Sequence, residues 1–323
     1  MKRFLLKSAL FLAPVAAYML LLVLADPYQL FRTPVPEGLT FRKGLKDTVA
    51  AWSDNALYKL VRFRNHPSRN IILGDSRMYS LDSNDILAVS GQRFFNLSIE
   101  GASFGEIADA FWFAADRVEL KRVYIGLNFL LFNESNRKDR TTGAKFIVRN
   151  PLLYFCNYTV IKAAVEIAEI SGKGMPALGR PDMSKEEFWR FVLFEETVPG
   201  YLNRYVYPVS FVAELERMAA YCRQRGIDLR FVIPPTHVDL QNRVAEMGFS
   251  SQEARFKAEL GRIAPTYDFE YANDLTREKD NFKDPMHYNA EVGRRLIGEI
   301  WGANIVYGRL TRPGAPALGI PAP

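Results

Sequence analysis

The sequence has few of the residues that build metal centres or disulfide scaffolds. Its 323 residues include two cysteines, Cys156 and Cys222, and three histidines, His66, His237 and His287. Two cysteines do not form a disulfide framework, and neither C-x-x-C nor paired-histidine spacing occurs, so the sequence predicts no metal site. A disulfide between the two cysteines and a buried free thiol at Cys222 both remain open.

An excess of one charge sign is also missing. The 42 Lys and Arg residues are interspersed with 36 Asp and Glu residues, for a net charge of +6. No basic stripe carries interleaved aromatic residues, so we predict no nucleic-acid partner. The composition, 48% hydrophobic and 24% charged, excludes wholesale disorder and a low-complexity fibre. The length suits one large domain or two small ones.

One long uncharged run stands at the N-terminus. Three basic residues within the first seven precede an uncharged stretch over residues 9–25. This stretch exceeds a signal-peptide core of roughly 7–15 residues and reaches the lower limit of about 17 for a bilayer span. We predict that residues 1–25 form a single-pass anchor in the cytoplasmic membrane, with the chain after Asp26 on the periplasmic side. A cleaved signal segment ending at Ala25 is the alternative.

The rest of the chain alternates apolar runs of strand length with helical patterns, which predicts an α/β fold. Strands are expected at Asn70–Leu73, Arg93–Leu97, Arg122–Leu127, Asp228–Ile233 and Phe269–Tyr271, and helices at Gly105–Val118, Ser210–Arg225 and Asn289–Trp301. Ser210 is the predicted N-cap of its helix, and Gly226 is the predicted residue after its end. Strands separated by helices favour a parallel sheet with helices on both faces.

These patterns give a domain plan. Residues 26–69 form a connecting arm, and residues 70–311 form one α/β domain. The distance between its third and fourth strands predicts a helical insertion at about 133–208. The proline-rich tail, 312–323, is predicted to be disordered.

Two loops carry residues suited to nucleophilic catalysis. Gly74-Asp75-Ser76 follows the first strand, where a serine is most commonly a helix N-cap. In the last loop before the closing helix, Asp284 precedes His287 by three residues. One loop can therefore present an imidazole with a carboxylate that orients it, and Ser76 would complete a set of nucleophile, base and orienting acid. The alternative is a surface loop with an incidental histidine.

Four short motifs together resemble the SGNH hydrolase superfamily, the GDSL-type esterases and acyltransferases. They occur in the family's order and bracket residues 70–290: Gly74-Asp75-Ser76, Asn96-Leu97-Ser98-Ile99-Glu100-Gly101, Gly126-Leu127-Asn128 and Asp284-Pro285-Met286-His287. The resemblance implies a three-layer SGNH-like (flavodoxin-like) sheet.

The same resemblance assigns roles to residues of these motifs. It implies a catalytic triad of Ser76, Asp284 and His287. It also implies an oxyanion hole made by the backbone N–H groups of Ser76 and Gly101 and the side-chain amide of Asn128.

Two positions depart from the family pattern. Arg77 replaces the leucine that commonly follows the serine, and Phe129 stands where many members have an aspartate. The first leaves the substrate class open, and the second removes an acid that would orient Asn128. Arg77 is a candidate substrate-binding residue. His237, after the fourth strand, is either a second one or part of a hydrogen-bonded structural loop, while Asp75 is expected to hold its turn.

A competing nucleophile also occurs. Gly101-Ala102-Ser103-Phe104-Gly105 matches the G-x-S-x-G elbow of α/β-hydrolases. That fold needs several strands before its elbow, whereas two precede Ser103, so Ser76 is the favoured nucleophile.

The resemblance extends to single-span SGNH-like proteins of alginate and cellulose acetylation and of teichoic-acid D-alanylation. Those proteins act beside multi-spanning membrane-bound O-acyltransferases. It therefore predicts an anchored O-acyltransferase that modifies a cell-envelope or exported polysaccharide through an acyl-Ser76 intermediate, without a metal or nucleotide cofactor. The alternatives are an anchored esterase or lipase, and a non-catalytic scaffold or glycan-binding component of a membrane acylation complex.

Overall fold

A computed structural model describes residues 1–34, 40–173 and 183–314. In these ranges the α-helices are α1 (Lys2–Ala25), α2 (Thr40–Ser53), α3 (Asn55–Asn65), α4 (Ser76–Tyr79), α5 (Ser83–Ser90), α6 (Phe104–Ala115), α7 (Thr141–Arg149), α8 (Tyr158–Lys173), α9 (Lys185–Arg190), α10 (Thr197–Leu202), α11 (Val209–Gln224), α12 (Val238–Glu246), α13 (Ser250–Ile263), α14 (Asp274–Arg277) and α15 (Ala290–Trp301). A π-helical turn spans Phe191–Glu195, and 3₁₀ turns span Pro151–Cys156 and Lys279–Asn281.

The strands are β1 (Asn70–Leu73), β2 (Phe95–Asn96), β3 (Arg122–Gly126), β4 (Asp228–Ile233), β5 (Thr266–Asp268), β6 (Phe282–Asp284), β7 (His287–Tyr288) and β8 (Arg309–Thr311). Six of them form one sheet in the order β2-β1-β3-β4-β5-β8, and β6 pairs with β7 in a separate hairpin. Strands β1 to β5 are parallel, while β8 runs antiparallel to β5. The predicted α/β class with a parallel sheet is confirmed.

The chain divides into two compact units. The first consists of Met1–His66 and Arg140–Leu178, and its described part is helical. The second consists of Pro67–Asp139 and Gly179–Pro323 and contains the sheet. The described part of the predicted insertion is mainly helical, but its residues 140–173 group with the N-terminal helices. This division was not foreseen, because periodicity reveals a helix and not which unit it packs with.

The strand order explains where a site can form. The chain passes from β1 to β2 on one side and then returns to β3 on the other, so β1 and β3 are neighbours at which the direction of crossing reverses. Loops diverge from the carboxyl ends of two such strands and leave a crevice between them. The predicted nucleophile Ser76 follows β1, and Asn128 follows β3.

Helices cover both faces of the sheet. Right-handed crossovers place α5 on one face and α6, α11 and α13 on the opposite face. The packing agrees, since α15 contacts α5 while α11 contacts α13. Aromatic rings reinforce this grouping: Trp112 of α6 lies 5.2 Å from Tyr221 of α11, and Trp301 of α15 lies 4.8 Å from Tyr124 of β3.

Several predicted boundaries need correction. The fifth strand lies at Thr266–Asp268 instead of 269–271, because its ladder is set by pairing with Phe231–Ile233, whereas hydrophobicity highlighted the buried Phe269 just beyond it. The second strand spans only Phe95–Asn96, shorter than the predicted Arg93–Leu97. Ser210 does not cap α11, which begins one residue earlier without a side-chain cap. Gly226 does follow the end of α11, with a φ of +64° that favours glycine.

The N-terminal helix α1 runs through the whole predicted anchor, Lys2–Ala25. Within the residues that the structure describes, no helix meets the combined length and apolarity expected of a membrane span. Exposed apolar side chains nevertheless follow one another along α1, among them Leu10, Phe11, Leu12, Val15, Leu20, Leu21 and Leu24.

Both cysteines are free, Cys156 exposed and Cys222 buried. Burial raises the pKa of the Cys222 thiol to about 12. Most of the predicted disordered tail, residues 315–323, lies outside the described residues.

Candidate active site

The loop after β1 has a conformation that glycine alone accommodates. Gly74 has a φ of +150°, and a Cβ at this position would lie 2.5 Å from Cγ of Met78. Gly126, at the end of β3, faces the same methionine, and a Cβ there would lie 1.9 Å from Met78 Cγ. The two glycines therefore make room for Met78 between the ends of β1 and β3. Ser76, half-buried, becomes the first residue of α4.

The three residues of the predicted triad lie in hydrogen-bonding contact. The Ser76 Oγ is 2.8 Å from His287 Nε2. His287 Nδ1 lies 2.9 Å from each carboxylate oxygen of Asp284. The β6–β7 hairpin supplies both Asp284 and His287. The order hydroxyl, imidazole, carboxylate is the one that removes a proton from a serine nucleophile.

Asp284 is held in its charged form. Burial raises the pKa of this carboxyl, but the hydrogen bond and charge of His287 and the backbone N–H groups of Met286 and His287 outweigh burial and bring the pKa below its ordinary value. An ionised Asp284 stabilises an imidazolium at His287. The His287 side chain is 35% exposed, so one side of the ring is open to solvent or substrate.

Tyr288 fastens the histidine loop to the serine loop, a role that the sequence analysis missed. Its buried hydroxyl donates a hydrogen bond to the backbone carbonyl of Arg77. On the other side, the His237 N–H donates to the Pro285 carbonyl at 3.0 Å. The signal was available in the sequence as an aromatic residue directly after His287, but its hydroxyl contact depends on the tertiary fold.

The predicted oxyanion-hole loops meet the serine loop. The N–H of Ile99, two residues before Gly101, donates to the carbonyl of Gly74, two residues before Ser76, at 3.0 Å. Gly101 has a φ of +57°, which favours glycine. Among the described residues, no group accepts a hydrogen bond from the N–H of Ser76 or Gly101. Both donors are therefore free to bind a substrate oxygen.

Asn128 has a fixed orientation even though Phe129 replaces the usual acid. Its Nδ2 donates to Asp75 Oδ2 at 2.9 Å, and its Oδ1 accepts from the Leu131 N–H at 2.8 Å. Asp75 thus supplies the orienting carboxylate from a different loop. An amide nitrogen carries two hydrogens, so one remains for a substrate oxygen. Asn128 is 2% exposed.

The predicted role of Arg77 in substrate binding requires a correction. The Arg77 side chain is 2% exposed and pairs with Asp75, Nη2 to Oδ2, at 2.8 Å. Burial disfavours the charge of Asp75, yet the charge and hydrogen bonds of Arg77 bring the pKa of Asp75 below its ordinary value. The prediction that Asp75 holds the turn agrees with its place as N-cap of α4, where it accepts from the Arg77 N–H.

His237 also has a structural position. It is 4% exposed and caps α12, where its Nδ1 accepts from the Asp239 N–H at 3.1 Å. The rings of Trp189 and Phe282 meet it edge-on at 4.9 and 5.5 Å. Burial lowers the pKa of the imidazole. Of the two readings of His237, the hydrogen-bonded structural loop is the one that the contacts support.

The competing nucleophile Ser103 is a helix cap. Its Oγ accepts from the Glu106 N–H at 3.2 Å, and the Glu106 carboxylate accepts from the Ser103 N–H at 2.9 Å. This reciprocal pair is a capping box. The Ser103 hydroxyl also donates to the Lys138 carbonyl, and the residue is 1% exposed.

Asn96 is a second residue whose role was missed. Its Nδ2 lies within 2.8–3.3 Å of the carbonyls of Met78, Tyr79 and Leu81. These carbonyls close the end of α4, so Asn96 holds the short helix that carries Ser76. The residue belongs to the second motif, but its partners could be known only from the structure.

An open cavity of about 380 Å³ adjoins the Gly101 loop. Its lining includes Ser103, Gly105, Asp109, Phe211 and the segment 134–139.

A comparison with protein-family models finds no match, and a search of curated proteins finds no similar sequence. In the described part of the chain, no group of three His, Cys, Asp or Glu side chains is placed to hold a metal ion.

Proposed function

We propose that the protein is a serine-dependent acyl-transfer enzyme of SGNH type, with Ser76 as its nucleophile. The observation that carries the proposal is the contact between Ser76 Oγ and His287 Nε2 at 2.8 Å, extended by Asp284. The strand order 2-1-3-4-5 is that of flavodoxin-like folds. Ser76 and Asn128 flank its switch point, which supports the proposed SGNH-like architecture.

The proposed first step forms an acyl-enzyme. His287 Nε2 takes the proton of Ser76 as its oxygen attacks the acyl carbonyl, and Asp284 stabilises the resulting imidazolium. The N–H groups of Ser76 and Gly101 and the free amide hydrogen of Asn128 bind the oxyanion. When the intermediate collapses, the bond to the donor group breaks, and His287 returns its proton to that leaving group.

The second step repeats the chemistry with an acceptor. His287 removes a proton from an acceptor hydroxyl, whose oxygen attacks the acyl-Ser76 carbonyl. As the bond between the acyl carbon and Ser76 Oγ breaks, His287 returns this proton to the serine oxygen. With a sugar hydroxyl the result is a transferred acyl group, and with water it is hydrolysis. We propose transfer to a cell-envelope or exported polysaccharide, by resemblance to the SGNH-like acetylation and D-alanylation proteins. The exposed edge of His287 favours the second candidate, an anchored esterase, since water can reach it.

The proposed setting is the outer side of the cytoplasmic membrane. Support comes from α1, whose apolar side chains Leu10, Phe11 and Leu21 are 76%, 83% and 66% exposed. Such a surface is unfavourable in water and suits a bilayer. A multi-spanning membrane-bound O-acyltransferase is the proposed partner that delivers the acyl group.

A fluorophosphonate probe tests the nucleophile without knowledge of the substrate. Full-length protein in mild detergent should be labelled, and Ser76→Ala should abolish the labelling. Ser103→Ala is the matched control, because loss of a cap costs roughly 1 kcal/mol of stability and removes no reacting group. Labelling that survives Ser76→Ala would assign the nucleophile to another serine and refute the proposal. A wild type that never reacts would leave the non-catalytic scaffold as the better reading.

Transfer is then separated from hydrolysis by product analysis. An activated acyl ester is supplied with and without polysaccharide, and acyl-glycan and free acid are measured together. A bound acceptor has a proximity advantage over water, so the right glycan should divert acyl groups from acid to glycan. Release of acid that no glycan or co-reconstituted acyltransferase alters would establish the esterase instead.

A further inference from the structure

A second apolar surface lies beside α1 in the first unit. Residues 150–161 contain no charged side chain, whereas Arg149 and Lys162 border them on either side. Half of this stretch is the 3₁₀ turn Pro151–Cys156, and its last four residues begin α8. Three of its apolar or aromatic side chains are exposed: Leu152 by 66%, Leu153 by 41% and Tyr158 by 77%.

This uncharged segment is fixed to α1 at two points. The Tyr154 hydroxyl donates to the carboxylate of Asp26, just after α1, at 3.1 Å. The Tyr18 hydroxyl donates to the backbone carbonyl of Phe155. Tyr18 precedes Asp26 by eight residues, so its Cα lies about 12 Å back along the helix axis. The segment therefore lies alongside the apolar surface of α1 and not beyond its end.

Aromatic packing around Tyr154 supports this placement. The ring of Phe31 lies 5.4 Å from Tyr154 and 5.6 Å from Phe155. The inward side chain Tyr154 is fully buried. With one side of the turn fastened to α1 and its surroundings, Leu152 and Leu153 remain on the outside.

We propose that the turn Pro151–Cys156 inserts its exposed leucines into the lipid bilayer beside α1. The inference rests on the membrane attachment proposed above for α1, because a bilayer that takes up α1 also meets the segment that is hydrogen-bonded to Tyr18. Tyr158 has an amphipathic ring of the kind that favours the headgroup level. The exposed Arg149 suits anionic headgroups at the same border. The bilayer, and not a second protein, is the occupant that this combination fits.

The chain carries its own reporter for this contact. Cys156 is exposed in the proposed turn, while Cys222 is buried with a raised thiol pKa, so an environment-sensitive fluorophore should label Cys156 alone. Loss of labelling in Cys156→Ser verifies the site. The labelled protein is reconstituted in vesicles of phosphatidylcholine and phosphatidylglycerol. We expect its emission to lie at shorter wavelength than that of the free dye in detergent-free buffer. Nitroxides on the upper acyl chain should quench it more than aqueous iodide does.

Paired variants test the leucines. Leu152→Ser combined with Leu153→Ser should at least halve the nitroxide quenching. The control, Val206→Ser with Val209→Ser, replaces two exposed apolar residues of the second unit and should leave the quenching unchanged. Quenching by iodide that is undiminished in vesicles would overturn the proposal. Protection that requires a co-reconstituted protein, or cross-linking of Cys156 between two copies, would overturn the lipid assignment.

A probe on α1 separates this inference from the membrane attachment itself. Val15, 52% exposed, is replaced by cysteine in the Cys156→Ser background and labelled. Quenching by lipid at position 15 but not at position 156 would overturn only the second contact. If both probes remained in water, the proposed attachment of α1 would fail together with the inference built on it.

Discussion

The buried pair of Asp75 and Arg77 offers the sharpest test of how the serine loop is stabilised. Arg77 is 2% exposed and Asp75 8% exposed, and their ion pair spans 2.8 Å. Removal of one partner of a buried pair leaves an uncompensated charge and costs about 3–5 kcal/mol. We therefore expect Arg77→Met to destabilise the protein by this amount.

The complementary variant should cost less. Asp75→Asn leaves the guanidinium buried, but the charge of Glu270 also acts favourably on Arg77 and offsets part of the loss. The double variant leaves neither charge, so its cost should fall well short of the sum of the two single costs. The expected coupling is about 2–3 kcal/mol.

Urea unfolding of the full-length protein in mild detergent, followed by tryptophan fluorescence, measures all three variants. The control is the surface pair Arg190–Glu195, whose side chains are 71% and 52% exposed; Arg190→Met with Glu195→Gln should show coupling below about 0.5 kcal/mol. If Asp75 and Arg77 proved as additive as that control pair, the reasoning from a buried, mutually dependent ion pair would be refuted.

Three further predictions concern the site and its surroundings. Ser76→Ala and His287→Ala should each abolish turnover, with the double variant little slower than either, since the two act in one step; independent multiplication of the rate losses would contradict the triad. Asn128→Ala should lower kcat roughly 10²–10³-fold and also lower the melting temperature, because Asp75 and the Leu131 N–H lose a partner; a calorimetric scan and a rate assay check both. Burial, and then the charge of Glu270, raise the pKa of Glu253 to about 7. Stability should therefore fall as pH rises from about 5 to 8, by roughly 1–3 kcal/mol, and Glu253→Gln should flatten this dependence in urea titrations at the two pH values.

Local sequence signals were sufficient for much of the sheet. The bounds of β1 and β4 agree with prediction, and α15 begins directly after its cap Asn289. These elements are apolar runs or amphipathic stretches bounded by glycine, proline or a capping residue, and such signals act within a few residues. The fifth strand was misplaced because its position depends on pairing with β4, which is not a local property.

The candidate site shows the same limit. The sequence by itself determined that Asp284 and His287 share one loop, since a spacing of three residues allows little else. It favoured Ser76 over Ser103 from the number of preceding strands, but the contact itself lay beyond local signals, because both serines begin helices after glycine-containing loops. Strand order decides this by placing the ends of β1 and β3 side by side, where Ser76 reaches His287 while Ser103 is used within its own capping box. The burial of Arg77 was likewise decided by tertiary structure. Its counter-ion Asp75 is a near neighbour in sequence, but the pair becomes buried only where distant parts of the chain pack over it.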